Sequence, residues 1–375
     1  MSNKFIPFYF PQLHAIPENN KWWGENYTDW DRVKVAPALT KNHHQPRIPL
    51  NHNYYDQSLA DTIKWQIDLA TSFNIYGLNF YHYWFNGKLL LEKPIQLFKN
   101  INHDLKYCIT WANETWSKRW DGKFNEILIK QEHAVDYDEW TAHFNYLIQF
   151  FEDERYIRID AKPVFLIYRP DIFPQINAFL KFLEDKCKER GLPGIYAIGI
   201  KAYETTNKDV YNGFDAVLKF QPRIFFGKGK GEKTSLAMKV QARLRHLPEK
   251  YQLILGDLKY KLQRSTSYSI DDFWKSLLHE AKLDLYSEKK IYESVLTDWD
   301  NTARYGIRAK YFSNASPEKF EYYLKELIET LSKDNRGQDN YIFINAWNEW
   351  SEGAYLEPDE KNQYKYLEVL KRLAI

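Results

Sequence analysis

A (β/α)8 TIM barrel is the fold class this sequence predicts, and three observations lead to it. Eight short apolar runs recur along 375 residues. Amphipathic helical segments fall between most of them, and polar residues gather where run after run ends. The runs are near-continuous in apolar residues, as parallel strands buried on both faces tend to be. A doubly wound open sheet is the alternative, but no Gly-rich phosphate turn follows the first run. We expect a single domain over residues 1–375.

In order, the runs are Phe5–Phe10, Tyr76–Trp84, Tyr107–Glu114, Lys162–Arg169, Ile195–Ala202, Phe214–Gln221, Glu293–Asn301 and Tyr341–Trp350. Helical faces are read from Leu59, Ile63, Ile67, Ala70 and Phe73 before the second run, and from Trp140, Phe144, Leu147, Ile148 and Phe151 before the fourth. Ser316-Pro317-Glu318 has the form of an N-cap, a first-turn proline and an early acid. Phe320, Tyr323, Leu324, Leu327, Ile328 and Leu331 then mark one face, and Tyr364–Leu373 closes the series. Between the fifth and sixth runs, Glu204–Asn212 is too short and too polar for a full helix. Two long segments break the rhythm. Pro11–Tyr55 is a long first βα loop, rich in Trp, Asn, His and Pro, and long loops of such composition are usually functional. The segment of about 223–292 reads as a helical insertion between strands 6 and 7. Its first half carries Lys228, Lys230, Lys233, Lys239, Arg243, Arg245 and Lys250. It is either a solvated insertion or a patch for an anionic glycan, a lipid-linked substrate or a membrane surface.

Composition narrows the function. Net charge is +2, so there is no global case for nucleic acid. Aromatic residues reach 17% with thirteen Trp, enough to build flat apolar platforms of the kind sugars stack on. Cys108 and Cys187 give neither a disulfide framework nor a metal-spaced set. His43-His44 and His82 are scattered, so no metal and no cofactor is expected. MSNKFIPFYFPQLH holds no apolar core followed by a cleavage site, and no run reaches transmembrane length, from which we expect a cytoplasmic protein.

In such barrels the chemistry lies at the C-terminal ends of the strands. There the sequence offers His82 and Trp84, then Trp111, Asn113, Glu114 and Trp116 followed by Arg119-Trp120-Asp121, then Tyr168, then Asp298 and Trp299, then Asn348, Glu349, Trp350 and Glu352. Tyr9 ends the first run. Carboxylates among aromatic rings suit glycosidic chemistry, in which one acid protonates the leaving oxygen and a second group stabilises or attacks the sugar. Glu349 and Glu352 are the catalytic candidates, and the others are candidate substrate contacts. Residues three apart on a strand face opposite ways, so the pair shares a pocket only if the chain turns between them. Gly353 and Trp350-Ser351 permit that turn. Glu114 is read as a substrate contact or as a salt-bridge partner of Arg119.

The pattern Asn348-Glu349-Trp350-Ser351-Glu352-Gly353, followed by Glu357-Pro358, resembles the barrel end of glycoside hydrolase family 99, the endo-acting α-mannosidases and α-mannanases. Tyr81–Pro94, Trp111–Gly122, Lys162–Pro170 and Ile344–Asp359 together make the chain similar to the WbsX-like relatives of that family, found in bacterial O-antigen and capsule gene sets and often labelled glycosyltransferases. The resemblance implies that Glu352 is the general acid/base. It implies that Glu349 takes the proton of the sugar 2-hydroxyl, so that the 2-oxygen attacks the anomeric carbon through a 1,2-anhydro sugar. The implied partner is an oligosaccharide or polysaccharide. Ser351 stands where the hydrolases have His, and Ala354-Tyr355 where they have Thr-Gln, so mannose is not carried over. A glycosyltransferase or transglycosylase of surface-polysaccharide assembly is the second reading, although no Asp-x-Asp metal–nucleotide motif stands out. A non-catalytic glycan-binding barrel is the third.

Overall fold

The computed structural model describes residues 2–117, 126–203, 208–228, 264–334 and 339–374. Eight strands form the centre: β1 (Asn3–Tyr9), β2 (Gly77–Phe85), β3 (Lys106–Trp111), β4 (Lys162–Ile167), β5 (Tyr196–Lys201), β6 (Ala216–Lys219), β7 (Lys290–Val295) and β8 (Asn340–Ile344). Every neighbouring pair is parallel, and β1 pairs with both β2 and β8, so the sheet closes on itself. The predicted barrel is therefore the observed one. Its interior is packed with rings: Phe8 meets Phe220 edge-on at 5.2 Å and Phe343 at 5.9 Å.

Helices α1 (Ala60–Ser72), α2 (Lys93–Asn100), α3 (Tyr137–Phe151), α4 (Ile176–Glu189), α5 (Ile270–Asp284), α6 (Pro317–Leu331) and α7 (Lys365–Leu373) surround the strands. The expected apolar faces turn inward, with one exception: Leu59 precedes α1 and is exposed. Ser316 caps α6 by accepting from the Lys319 amide at 3.3 Å, and Pro317 opens the helix as read. Among the described residues, no full helix covers the step from β5 to β6. A 3-10 turn, Lys208–Tyr211, lies there instead. Gly199 on β5 makes this close approach feasible, because a Cβ at that position would come within 2.9 Å of the Tyr211 ring.

The segment between β6 and β7 divides. Ile270–Asp284 is a regular barrel helix: Trp274 stacks on Tyr323 of α6 at 5.7 Å, and Lys319 pairs with Asp271 at 2.6 Å. Of the insertion expected over about 223–292, Ile270–Asp284 thus belongs to the barrel, and residues 229–263 lie outside the described residues. Lys230, Lys233, Lys239, Arg243, Arg245 and Lys250 lie outside the described residues. Lys228 pairs with Glu280 at 2.9 Å. No helix among the described residues is long and apolar enough to cross a membrane.

The first βα loop forms two short helices, Pro17–Trp23 and Trp30–Val33, and a 3-10 turn, Leu50–His52. It is tied to the C-terminal mouth of the barrel at several points. Gln57 accepts from the Leu13 amide at 2.6 Å and donates to the Phe10 carbonyl at 2.9 Å. The Leu50 amide donates to the Pro358 carbonyl at 2.9 Å, and Trp30 packs on Trp350 at 5.4 Å. After β8 the chain reverses. Asn348–Glu349 pairs antiparallel with Ala354–Tyr355 around a 3-10 turn, Trp350–Glu352, and Gly353 closes the reversal at φ +59°. A Cβ at Gly353 would stand 3.1 Å from the Asp300 amide and carbonyl. Gly353→Ala is therefore expected to cost about 1–2 kcal/mol from backbone conformation alone, and more from the contact with Asp300. An unchanged urea midpoint in that variant would contradict this account of the turn.

Candidate functional site

The reversal after β8 carries both catalytic candidates. A 3-10 turn sets residues three apart on one side, so Glu349 and Glu352 face the same way, as they could not on a strand. The flanking aromatics hold the turn. Trp347 is fully buried, and Trp350 stacks on Tyr355 at 3.8 Å while its indole N–H donates to Glu357 at 2.8 Å. Asn348 clamps the turn to β1, accepting from the Phe10 amide at 2.8 Å and donating to the Phe10 carbonyl at 3.0 Å.

Arg304, on the loop after β7, sits between the two acids. Its Nη1 lies 3.1 Å from Glu349 Oε1 and bonds Glu352 Oε1 as well, while Nη2 reaches Asp29 at 3.3 Å. Asp29 also accepts from the Ser351 hydroxyl. Glu352 Oε2 accepts from the Trp299 indole N–H at 2.9 Å. Both oxygens of Glu352 thus face N–H donors, which suits a charged carboxylate. Glu349 differs. Burial, then the charge of Glu352, pushes its carboxyl up to about 8. Burial acts in the same direction on Glu352, but Arg304, Arg223 and the Trp299 N–H together hold it below the usual value. A proton on the pair is therefore favoured on Glu349 over Glu352.

These groups border a cavity of about 250 Å³ at the C-terminal mouth. Phe10, Tyr81, Tyr83, Tyr168 and Phe220 come from the strand ends, and Trp22, Trp23 and Tyr27 from the first loop. Glu114, Trp116, Arg223, Arg304, Glu349 and Glu352 add to the wall. Asn113 joins the ends of β3 and β4, accepting from the Arg169 amide at 2.7 Å and donating to the Arg169 carbonyl at 3.0 Å. That clamp sets Glu114 beside Arg169, its ion-pair partner. Arg119-Trp120-Asp121 lies outside the described residues.

Of the expected substrate contacts, Glu114, Trp116 and Tyr168 border the cavity. Trp299 and Asn113 act through a neighbour. Tyr9, His82, Trp84, Trp111, Asp298, Asn348 and Trp350 are buried or engaged elsewhere, and strand parity accounts for four of them. On β2, Tyr81 and Tyr83 face the cavity, so His82 and Trp84 face outward. His82 lies 2.9 Å from His143 of α3, and Trp84 stacks on the same ring at 4.7 Å. Trp111 packs on His143 at 4.8 Å, and the Tyr9 hydroxyl donates to Gln66 of α1 at 2.6 Å. The signal that fixes the parity is Asn79, a polar residue in an apolar run, which accepts from Thr110 at 2.9 Å. Asn79 shares its face with Tyr81 and Tyr83.

Asp298-Trp299-Asp300 does have Asp-x-Asp spacing, as does Asp29-Trp30-Asp31 in the first loop. Arg47 binds Asp298 at 2.8 Å, while His43 and Gln45 each bind Asp300 at 2.7 Å. Both carboxylates are thus taken up by protein donors. Among the described residues, no three or more His, Cys, Asp or Glu side chains are grouped to hold a metal. Arg304 and Arg223 lie beyond the strand ends, where no run or motif singles them out. Two buried acids side by side require a cation, and the nearest arginine after the seventh run is Arg304.

The chain resembles known proteins over nearly its whole length. The profile of the family described as Glycosyltransferase WbsX matches residues 5–370. The protein WxcX of Xanthomonas campestris pv. campestris strain B100, itself described as uncharacterized, is 31% identical over 370 residues. The match takes in 98% of this chain and 49% of that protein, so the chain spans about half the length of the curated relatives it matches. Among solved structures, one described as a glycoside hydrolase-like protein aligns with a TM-score of 0.59 at 12% identity, covering 99% of this chain and 93% of the other. The GH99 endo-α-mannosidase of Bacteroides thetaiotaomicron aligns with a TM-score of 0.52 at 15% identity, covering 99% and 95%. At those identities the likeness shows the fold, a (β/α)8 barrel shared with glycoside hydrolases. The chain belongs to the WbsX family.

Proposed function

We propose that this chain is a retaining glycoside hydrolase acting on a surface polysaccharide or its precursor, in the cytoplasm. The observation that carries the reading is the Glu349/Glu352 pair, bridged by Arg304 and facing an aromatic-walled cavity. One acid and one base are what cleavage of a glycosidic bond consumes and restores. In the route the resemblance implies, one carboxylate accepts the 2-hydroxyl proton, the 2-oxygen bonds to the anomeric carbon, and the bond to the leaving oxygen breaks. That oxygen takes its proton from the other acid, and water then opens the anhydro ring with net retention. The route needs the proton on Glu352 when the leaving group departs. The resting protein favours it on Glu349, so either substrate loosens the hold of Arg304 on Glu352 or the two acids exchange roles.

The family's description favours a second reading, transfer from an activated sugar donor. Against it stands the engagement of Asp298 and Asp300 by Arg47, His43 and Gln45. It leaves Asp298-Trp299-Asp300 without carboxylates to spare for a metal–nucleotide complex, and in Asp29-Trp30-Asp31, which has the same spacing, Asp29 is held by Arg304 and Ser351.

Three outcomes test the proposal. Incubated with the surface polysaccharide of the producing organism and read by mass spectrometry, the protein is expected to generate new reducing ends. Glu349→Gln and Glu352→Gln should each lower that activity about 10³-fold. Product that forms only when a nucleotide sugar is added would establish the transferase reading instead. With a glycosyl fluoride of the sugar so identified, the leaving group needs no proton. The variant of the acid should then recover activity while the variant of the base stays inactive, which assigns the roles. The pH profile should fall above about 8, as Glu349 loses its proton. It should fall again on the acid side, below the ordinary glutamate range, as Glu352 gains one. Trp299→Phe removes a donor from Glu352 alone, so the acid limb should move upward while the alkaline limb stays fixed. Movement of both limbs together would contradict this assignment.

A further inference from the structure

Arg223 follows β6 directly, and its guanidinium reaches the cavity wall. Its Nη1 donates to the Tyr203 hydroxyl at 2.6 Å, and its Cζ lies 5.3 Å from the centre of the Tyr203 ring. Arg169 lies over the same ring at 4.6 Å, so Tyr203 stands between two cations. The other buried or half-buried arginines of this region each meet a carboxylate. Arg169 has Glu114 and Asp171, Arg304 has Asp29, Glu349 and Glu352, and Arg47 has Asp298. Arg223 has none at ion-pair distance among the described residues. Arg223 feels Glu352 and Glu114 only through space, and the chain sets no carboxylate in contact with it, unlike those neighbouring positions. What it leaves at Arg223 is a planar fork of donors, suited to a carboxylate, opening on the cavity that holds Glu349 and Glu352.

We propose that Arg223, with Tyr203 beside it, forms an anion subsite, and that the glycan processed here carries a carboxylate, as a uronic acid does. The inference rests on the glycan-processing reading above and names the class of its substrate. It also bears on the proton. Arg223 is one of the charges that keep Glu352 ionised. A carboxylate bound at Arg223 offsets that charge and eases the proton toward Glu352, where the leaving oxygen needs it. A neutral sugar in the same cavity has no such effect.

The test uses the polysaccharide of the producing organism, native and after carbodiimide–borohydride reduction of its carboxyls to alcohols, with release of reducing ends as the readout. Wild type should act on the native polymer at least tenfold faster than on the reduced one. Arg223→Met should lose that preference, acting on both at the slow rate, with its melting temperature unchanged. Arg223→Lys, which keeps the charge without the fork, should recover part of it. Equal rates on the two polymers in wild type, or a native polymer free of acidic sugars that is still cleaved, would overturn the anion subsite while leaving the glycosidase reading intact. Cleavage of neither polymer by wild type would remove the glycosidase reading and the subsite with it. If Arg223→Met melts early, saturation-transfer NMR on wild type with methyl glucuronide and methyl glucoside decides. Contact with the glucuronide that weakens with added salt supports the subsite, and equal contact with both overturns it.

Discussion

Two carboxylates buried side by side repel one another, and the whole site depends on how that repulsion is met. Arg304 meets it with one guanidinium nitrogen shared between Glu349 and Glu352. One cation does not neutralise two anions and Asp29 as well, so a proton completes the balance. Trp299 then breaks the symmetry, because its N–H reaches Glu352 and not Glu349. The proton settles on the acid with fewer donors. The two carboxyls are thus distinguished by hydrogen-bond geometry, with Glu349 raised and Glu352 lowered.

That geometry depends in turn on parts distant in sequence. Arg304 comes from the loop after β7, Asp29 from the first loop, and the acids from the reversal after β8. Asn348 holds the reversal to β1, and Glu357 gathers Tyr55, Gln66 and Trp350 beneath it. Burial pushes the Glu357 carboxyl up to about 7, against those donors. The aromatic residues around the acids therefore divide by role. Trp347 and Trp350 fasten the turn, whereas Tyr81, Tyr83, Trp116 and Tyr168 face the cavity. A substrate meets walls whose positions are set by a buried polar lattice and not by the rings alone.

Much of this was legible in the sequence, and the misses have physical causes. Barrel strands announce themselves by composition, because burial on both faces removes the need for polar alternation. The same property hides which face is which. His82 and Trp84 read as candidate contacts at the strand end, and a shift of one residue gives Tyr81 and Tyr83, which line the cavity. Asn79 alone in that run carries the parity. Of the polar Glu204–Asn212 segment, which offers no apolar face, the described part is a 3-10 turn, Lys208–Tyr211. Tertiary pairing was beyond reach: neither the grip of Arg304 on both acids nor the seat of Arg47 on Asp298 leaves a local pattern. Glu114 was assigned two candidate roles, and the partner that holds it, Arg169, is 55 residues away in sequence.

The charges around the cavity also bear on what kind of bond-breaking it can support. A nucleotide-sugar donor brings a diphosphate and normally a cation to hold it, which calls for free carboxylates or a cluster of unpaired basic groups. At this mouth the paired aspartates are already bound to Arg47, His43 and Gln45, and Arg304 is spent on three acids. Among the described residues of the cavity wall, Arg223 is a guanidinium with no carboxylate in ion-pair contact. A single planar fork matches one carboxylate on one sugar better than the spread charge of a diphosphate. The same guanidinium lies within electrostatic reach of Glu352, so binding of that sugar and movement of the catalytic proton draw on one field. On this view specificity and acid catalysis are linked through Arg223: the substrate's own charge releases the proton arrangement that the empty site withholds.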